Sequence, residues 1–454
     1  MSLSDKPTQR DQPTQAEVLR DRASLVPWRT AIMASFHERR GKGRTALPDR
    51  LEGAVLGGLA AGVGDTRGGG GAGGGGAGGG TRMLDVLSAL LDGHPDIHAE
   101  GAPPVARTAD LVPFPLVLRA LDDAALVEAA VASGGPDPVS AGLFLLILRG
   151  LLAGERNRGS VLASTTRSLR AATSRDVAEP MPDGFRSGWD AFARASGYRD
   201  AVDRARASGP DHGDAAQIAG ALAGLYWGSG AIPVAWRRAL PDATRARVLC
   251  DRLVETDAPG WDGRPWRTST SNPLRVDPLD LGGLPDLARG SAGITFLPGR
   301  RYVGYHTGAH WRDLDTDAAR LRELGVGALL VLVEDRELER CRVTGIAEAL
   351  AAHGVELERF PIRDPLLPRD RAAFRRTVTG LIERVRSGAS VAIACRGGLD
   401  RAGMTAGCLL REAGLGGSDA IERVQRARRG ALTLPDQQAY VRAWPPGGEG
   451  PRRA

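Results

Sequence analysis

From Ala46 to Val254, apolar residues recur at three- and four-residue spacing within Ala-, Leu- and Arg-rich stretches. That period lines one face of a helix. It is clearest over Met83–Leu91, Pro115–Leu121, Ala124–Ala132, Ala141–Leu152 and Ala215–Tyr226. Strand-like alternation is scarce here, so this half is expected to be an all-α domain. The run GGGGAGGGGAGGG, residues 68–80, interrupts it. Glycine gives up the most backbone entropy on ordering, so the run reads as a flexible low-complexity loop. A phosphate-binding loop would need defined geometry instead.

Residues 255–285 are rich in Pro, Gly, Asp and Trp and read as a linker. Beyond them the pattern changes. GITFLPG, GALLVLVE and ASVAIAC are short β-branched or apolar runs, and VELERFPI alternates. Between them lie helical stretches at Leu314–Leu324, Thr344–His353, Arg369–Ser387, Arg401–Ala413 and Ser418–Arg428. Strands alternating with helices imply an α/β domain with a parallel-rich central sheet over 286–445. The polar stretch 1–45 reads as a mobile arm and 446–454 as a disordered tail.

Composition narrows the function classes. The chain is 42% hydrophobic and 25% charged, an ordinary globular balance. Its +6 charge is carried almost wholly by Arg interleaved with Asp and Glu. Local excess is confined to the arm, Arg426–Arg429 and Arg452–Arg453, which argues against a nucleic-acid partner. No apolar run approaches the ~20 residues that span a bilayer. The polar N-terminus lacks a signal-peptide core, so a cytoplasmic protein with no membrane partner is expected. Four Cys without a C-x-x-C pair suggest neither a disulfide framework nor structural zinc. Cys250, Cys341 and Cys408 read as structural, with Cys341 in a polar turn.

The strongest chemical signal is ASVAIACRGGLDRAGMTAGCLL, residues 389–410. Cys395 ends a buried strand, a loop with two Gly follows, and Arg401 opens a helix. Such a loop points backbone N–H groups inward at the positive end of a helix dipole, forming an anion nest. The same field favours a thiolate, and an Arg fork can grip a phosphoryl group. A thiolate facing bound phosphate forms a phosphocysteine, and the departing oxygen needs an acid from elsewhere. The plainer reading is a buried strand-end Cys before an ordinary turn.

CRGGLDRAG resembles the C-x-x-G-x-x-R signature of cysteine-dependent protein phosphatases. The stretch 290–445 resembles dual-specificity phosphatases of the cyclin-dependent-kinase-associated type. The resemblance implies Cys395 as nucleophile, Arg401 as phosphate ligand and Arg396, Gly397, Gly398, Leu399 and Asp400 as the substrate-binding loop. It implies Asp364 as general acid, with Asp370 as fallback, and no cofactor for this domain. Gln437 or Gln438 would position the hydrolytic water; the plainer reading is a surface helix. Three positions depart from the family: Ala394 where His is usual, Ala402 where Ser or Thr assists release of the thiolate, and Asp400 where Gly is common. Ala402 predicts slow turnover of the intermediate, and Asp400 predicts repulsion of a dianion.

DRLEGAVLGGLAAGVGD, residues 49–65, and the stretch 209–240 resemble the first and last core helices of ADP-ribosylglycohydrolases. The likeness covers about 46–245, and small residues at Gly53, Gly57, Gly58 and Ala61 suit close helix packing. The family's two magnesium ions need carboxylates. Here Thr81, Arg82 and Met83 stand where the early acids belong, and only Asp211 and Asp214 remain as remnant candidates, with Gly213 replacing an Asp. Magnesium is expected only if that site is intact. The simpler reading of Asp211, His212 and Asp214 is a helix cap.

The primary expectation is a phosphate monoester hydrolase acting on phosphorylated protein or a small phosphate ester, fused to a glycohydrolase-like domain without activity. The alternatives are magnesium-dependent removal of ADP-ribose, or a protein that binds phosphorylated or ADP-ribosylated partners without turnover.

Overall fold

The computed structural model describes residues 47–62, 78–92, 107–132, 138–173, 183–208, 214–240, 242–256, 265–304 and 308–445. The arm, the tail, residues 68–77 of the glycine run and Asp211 lie outside them.

The first half is helical: α1 (Leu47–Gly62), α2 (Gly78–Leu91), α3 (Pro113–Val117), α4 (Asp123–Ala132), α5 (Pro138–Ala153), α6 (Arg158–Thr173), α7 (Asp183–Arg194), α8 (Tyr198–Ala207), α9 (Ala215–Trp227), α10 (Val234–Arg238) and α11 (Ala243–Glu255). The glycine run ends earlier than its composition predicts, because Gly78–Gly80 open α2. The buried Met83, Leu84, Val86 and Leu87 anchor that helix and offset the entropy of its first turn. Helices α1 and α9 cross almost backbone to backbone. A Cβ on Gly224 would lie 1.8 Å from the Gly53 carbonyl oxygen, and one on Gly57 would lie 2.3 Å from that of Gly220. The Tyr198 hydroxyl of α8 donates to the Gly57 carbonyl at 2.7 Å. The small-residue stripe therefore sets the crossing that carries α1.

The second half is an α/β domain with strands β1 (Asp277–Pro278), β2 (Ser291–Phe296), β3 (Arg301–Gly304), β4 (Gly308–Trp311), β5 (Ala328–Val331), β6 (Glu356–Arg359) and β7 (Ser390–Cys395). Its helices are α12 (Leu314–Glu323), α13 (Asp335–Arg340), α14 (Ile346–Ala352), α15 (Arg371–Arg386), α16 (Asp400–Glu412), α17 (Gly417–Ala427) and α18 (Pro435–Arg442). The main sheet runs β1-β2-β7-β5-β6. All its pairs are parallel except the β1 edge, which is antiparallel. β3 and β4 form a separate antiparallel hairpin.

Both faces of the sheet are covered, which is why its central strands read as nearly continuous apolar runs. Ile294, Leu330 and Ile393 face a core built with Phe374 of α15, Met404 of α16 and Ile421 of α17. Leu329, Val331, Ala392 and Ala394 face the other way, onto Leu321 of α12 and Leu350 of α14.

The described part of the expected linker, from 265 onward, is packed rather than free. Trp266 is buried, and β1 joins the sheet. The Thr270 N–H and hydroxyl donate to Asp251 of α11 at 3.0 and 2.7 Å. Arg312 donates to the carbonyls of Thr268 and Asn272 at 3.0 and 2.6 Å. Polar residues that read as loop from composition are thus spent on a seam between the halves. No helix among the described residues is long and apolar enough to cross a membrane.

Candidate active site

Strand β7 delivers Cys395 to its C-terminal end, where the side chain is almost wholly buried. The chain then turns through Arg396–Leu399 into α16. Gly398 has φ +68°, and a Cβ there would lie 2.4 Å from the Thr295 carbonyl oxygen, so no larger residue fits unshifted. Two arginines, Arg300 buried and Arg428 half-buried, hold the loop from outside. Arg300 donates to the Arg396 carbonyl at 2.7 Å, and Arg428 to the Gly397 carbonyl at 3.1 Å while also pairing with Asp277. In a trans peptide unit the N–H points opposite to the C=O. Fixing those two carbonyls therefore turns the N–H groups of Gly397 and Gly398 the other way, and fixes their direction.

Arg401 lies in the first turn of α16 and is buried. Its guanidinium donates to Glu337 of α13 twice, at 2.7 and 2.9 Å, and to the Ile362 carbonyl at 2.8 Å. Its buried Nε makes no hydrogen bond but is ion-paired with Asp364 at 3.5 Å. Burial opposes the charge, but the Glu337 bonds and the proximity of Cys395 and Asp364 more than compensate, holding the Arg401 pKa above its ordinary value. Glu337 shows the reverse balance. Burial pushes its carboxyl up, yet Arg401 holds it below the usual value. Arg300 is pulled down to about 9 by burial and by the charges of Arg312 and Arg428.

Asp364 follows β6, and its carboxylate accepts from Arg396 at 2.8 Å. Arg396 lies over the Tyr302 ring, and burial lowers its pKa less than Tyr302, Asp364 and Glu337 raise it. Cys395, Arg396, Arg401 and Asp364 therefore meet at one loop although Asp364 is 32 residues from Arg396 in sequence. Asp370 is not part of this group; its carboxylate caps α15, accepting from Ala373 N–H at 2.8 Å. The Asp400 carboxylate is engaged by the N–H and hydroxyl of Thr433, at 3.3 and 3.1 Å. The structure separates the two glutamines. Gln437 is buried, donates to the Pro365 carbonyl at 3.2 Å and leaves its Oε1 without a partner, whereas Gln438 donates to the Leu432 carbonyl at 2.9 Å. Gln437 thus abuts the Asp364 segment and is no surface residue.

Ala394 and Ala402 are fully buried, and the Thr405 hydroxyl donates to the Arg401 carbonyl at 2.9 Å. Cys341, read as part of a polar turn, is buried behind α13, where burial pushes its thiol up to about 11. Burial also raises Cys250 and Cys408. Sequence reasoning missed Glu337, Arg300 and Arg428. Glu337 sits in a polar stretch 64 residues from its partner Arg401 and carries no local signal.

In the helical half, Asp214 occupies the N-cap position of α9, but its side chain does not cap it. It reaches back to the Ala109 N–H at 3.4 Å, with the Arg107 guanidinium 4.0 Å away. Burial raises its pKa, opposed by Arg107. Among the described residues, no three His, Cys, Asp or Glu are grouped to hold a metal. The Arg107 guanidinium beside Asp214 opposes a divalent cation at that carboxylate.

A model described as ADP-ribosylglycohydrolase matches residues 28–262, and one described as cyclin-dependent kinase inhibitor 3 (CDKN3) matches residues 284–425. No curated protein matches the chain. Among solved structures, kinase associated phosphatase with its catalytic-site cysteine substituted by serine is 23% identical over 37% of this chain and 93% of its own, with a TM-score of 0.33. Tk-PTP in the active form is 27% identical over 34% of this chain and 88% of its own, with a TM-score of 0.27. An ADP-ribosylglycohydrolase-related protein complex is 21% identical over 46% of this chain and 97% of its own, with a TM-score of 0.37. The helical model spans just over half of the residues, so the chain belongs to the ADP-ribosylglycohydrolase family and carries a dual-specificity/tyrosine phosphatase-like domain behind the helical one.

Proposed function

We propose that the chain hydrolyses phosphate monoesters through a phosphocysteine intermediate, with phosphotyrosine or phosphoserine/threonine in protein as the substrate class. The observation that carries this reading is the meeting of Cys395 with Arg401, whose guanidinium is fixed by Glu337, and with Asp364, 3.5 Å from the Arg401 Nε, at one Gly-containing loop that opens a helix. A phosphoryl group is what a thiol, a fixed guanidinium fork and inward backbone N–H groups together can hold.

The Cys395 Sγ attacks phosphorus, the S–P bond forms, and the P–O bond to the leaving group breaks. Its electron pair stays on the departing oxygen, which takes a proton from the Asp364 carboxyl, protonated from solvent once the phosphoryl group has displaced it from Arg396 and Arg401. The Gly397 and Gly398 N–H groups and Arg401 stabilise the equatorial oxygens. A phosphoryl group in the loop competes with Asp364 for Arg396 and Arg401, freeing the carboxyl to face the leaving oxygen. Water then attacks phosphorus, the S–P bond breaks back to thiolate, and Asp364 takes the water's proton. Gln437 Oε1, buried beside the Asp364 segment, is the acceptor for that water.

The helical half, in this reading, does not remove ADP-ribose. Asp214 is committed to Arg107 and the Ala109 N–H. The test is turnover of an aryl phosphate, in chelator, by the wild type and Cys395→Ser. Activity lost in Cys395→Ser supports the reading. Full activity in that variant overturns it.

A further inference from the structure

Two adjacent arginines leave the start of β3 in different directions. Arg300 reaches the Cys395 loop and donates to the Arg396 carbonyl at 2.7 Å. It is buried, its guanidinium lies 4.5 Å from the Phe296 ring centre, and its other Nη is 2.8 Å from His310 Nε2. Arg301 points into the helical half. Its Nη1 lies 2.7 Å from Glu52 Oε2 and 3.0 Å from Ser229 Oγ, and its Nη2 is 2.9 Å from Glu52 Oε1. The Arg301 and Glu52 side chains are 9% and 8% exposed, so solvent screens this pair little.

The acceptor end is rigid. The Ser229 N–H and hydroxyl donate to Asp49 at 3.1 and 2.8 Å, and the same hydroxyl lies 2.8 Å from Glu52. Trp311 Nε1 donates to Glu52 at 3.3 Å, and Arg342 pairs with Asp49. Asp49 and Glu52 sit on α1, whose position is set by the glycine crossing with α9. A shift of Arg301 along or away from α1 must carry its neighbour Arg300 with it, and Arg300 holds the first carbonyl of the loop.

We infer that the Asp49–Glu52–Ser229 cluster of the helical half is a positioning element for the Cys395 loop, acting through Arg301 and Arg300. The inference rests on the phosphatase reading for its consequence in turnover, but its structural part does not. The helical half is then a component of the phosphatase scaffold, and its first-helix acids serve the second domain.

The experiment is hydrogen–deuterium exchange with peptide resolution, alongside turnover of an aryl phosphate, on the full chain. Glu52→Gln removes the charge that Arg301 meets. Exchange in the peptide over 395–401 is expected to quicken about tenfold, with exchange in α15 unchanged, and kcat to fall on the order of tenfold. Arg238→Ala, which removes one of two arginine contacts between the halves at Asp315 (3.0 Å; Arg247, at 3.5 Å, is the other) without touching β3, is expected to change neither. If Glu52→Gln does not fold, Glu52→Gln with Arg301→Gln strands no charge and gives the same reading. Uniform quickening across the α/β half, or an unchanged loop in a folded variant, overturns the inference. Absence of Cys395-dependent turnover in the wild type sinks the phosphatase reading alone, since loop exchange still decides the coupling.

Discussion

Glu337→Gln tests the site where its geometry is tightest. The carboxylate accepts two charge-assisted hydrogen bonds from Arg401, at 2.7 and 2.9 Å, between side chains 6% and 1% exposed. The amide keeps one acceptor and turns an NH₂ toward the guanidinium, so one bond is lost and donor faces donor. A hydrogen bond to a charged group is worth about 1.5–3 kcal/mol, and breaking a buried pair costs about 3–5 kcal/mol. The expected destabilisation is therefore about 3 kcal/mol, read as a fall in the urea midpoint of the α/β half. Arg401 also loses the contact that orients its Nε, so kcat should fall on the order of a hundredfold. The pH dependence carries a sign. Because the folded carboxyl lies below its free value, its contribution is present above ~4.3 and is lost as pH falls below that. The Gln variant should show a flatter stability profile in that acid window. A variant within ~0.5 kcal/mol of wild type, with unchanged kcat, would refute the view that Glu337 organises Arg401.

Three further outcomes are expected. Gly398→Ala meets both the left-handed φ of +68° and the Thr295 oxygen 2.4 Å away. It should cost more than the ~1–2 kcal/mol of the backbone term alone and lower aryl phosphate turnover, measured by thermal unfolding and initial rates. Asp251, buried at the seam between the halves, has its carboxyl pushed up to about 7 by burial despite its Thr270 bonds. Its protonated form is favoured by folding, so that stability is present below ~3.9 and lost as pH rises through about 7. Asp251→Asn should remove the dependence and raise stability at pH ~8 by a few kcal/mol, checked by unfolding across pH. Ala402→Ser restores a hydroxyl in the first turn of α16 and should turn a burst followed by slow steady-state release into faster continuous turnover, checked by stopped-flow; an unchanged burst would locate the slow step elsewhere.

How much could be read in advance depended on the range of the interaction. ASVAIAC is apolar throughout because β7 is covered on both faces, so its strand character and the Cys395 loop were visible from a few neighbouring residues. Helices α12, α14, α15, α16 and α17 were visible for the same reason, each carrying its own period, whereas the short polar α13 was read as a turn. The β3–β4 hairpin was not, because RYVG and GAHW fill their positions with groups that pair across distance: Arg301 with Glu52, His310 with Arg300 and Trp311 with Glu52. Residues 265–285 were read as linker for a related reason. Their Pro, Gly and Ser content is ordinary for a loop, and only the tertiary structure shows Thr268, Ser269 and Thr270 bonded to Glu255, Asp317 and Asp251.

The arginines show the same limit most sharply. Interleaved with acids, they read as a compositional bias that excluded a nucleic-acid surface and said nothing more. In the fold Arg300 and Arg401 are buried and Arg428 is half-buried around one loop, each donating to a backbone carbonyl. Arg428 comes from the locally basic run 426–429 and pairs with Asp277. Lysine would not substitute. Each of these groups satisfies two or more acceptors at fixed angles, which the planar guanidinium fork does and an ammonium does not. The choice of arginine at these positions therefore follows from loop geometry, whatever set the composition elsewhere. Arg428→Lys is accordingly expected to loosen the Gly397 carbonyl while keeping the Asp277 ion pair, which separates the fork's contribution from that of its charge.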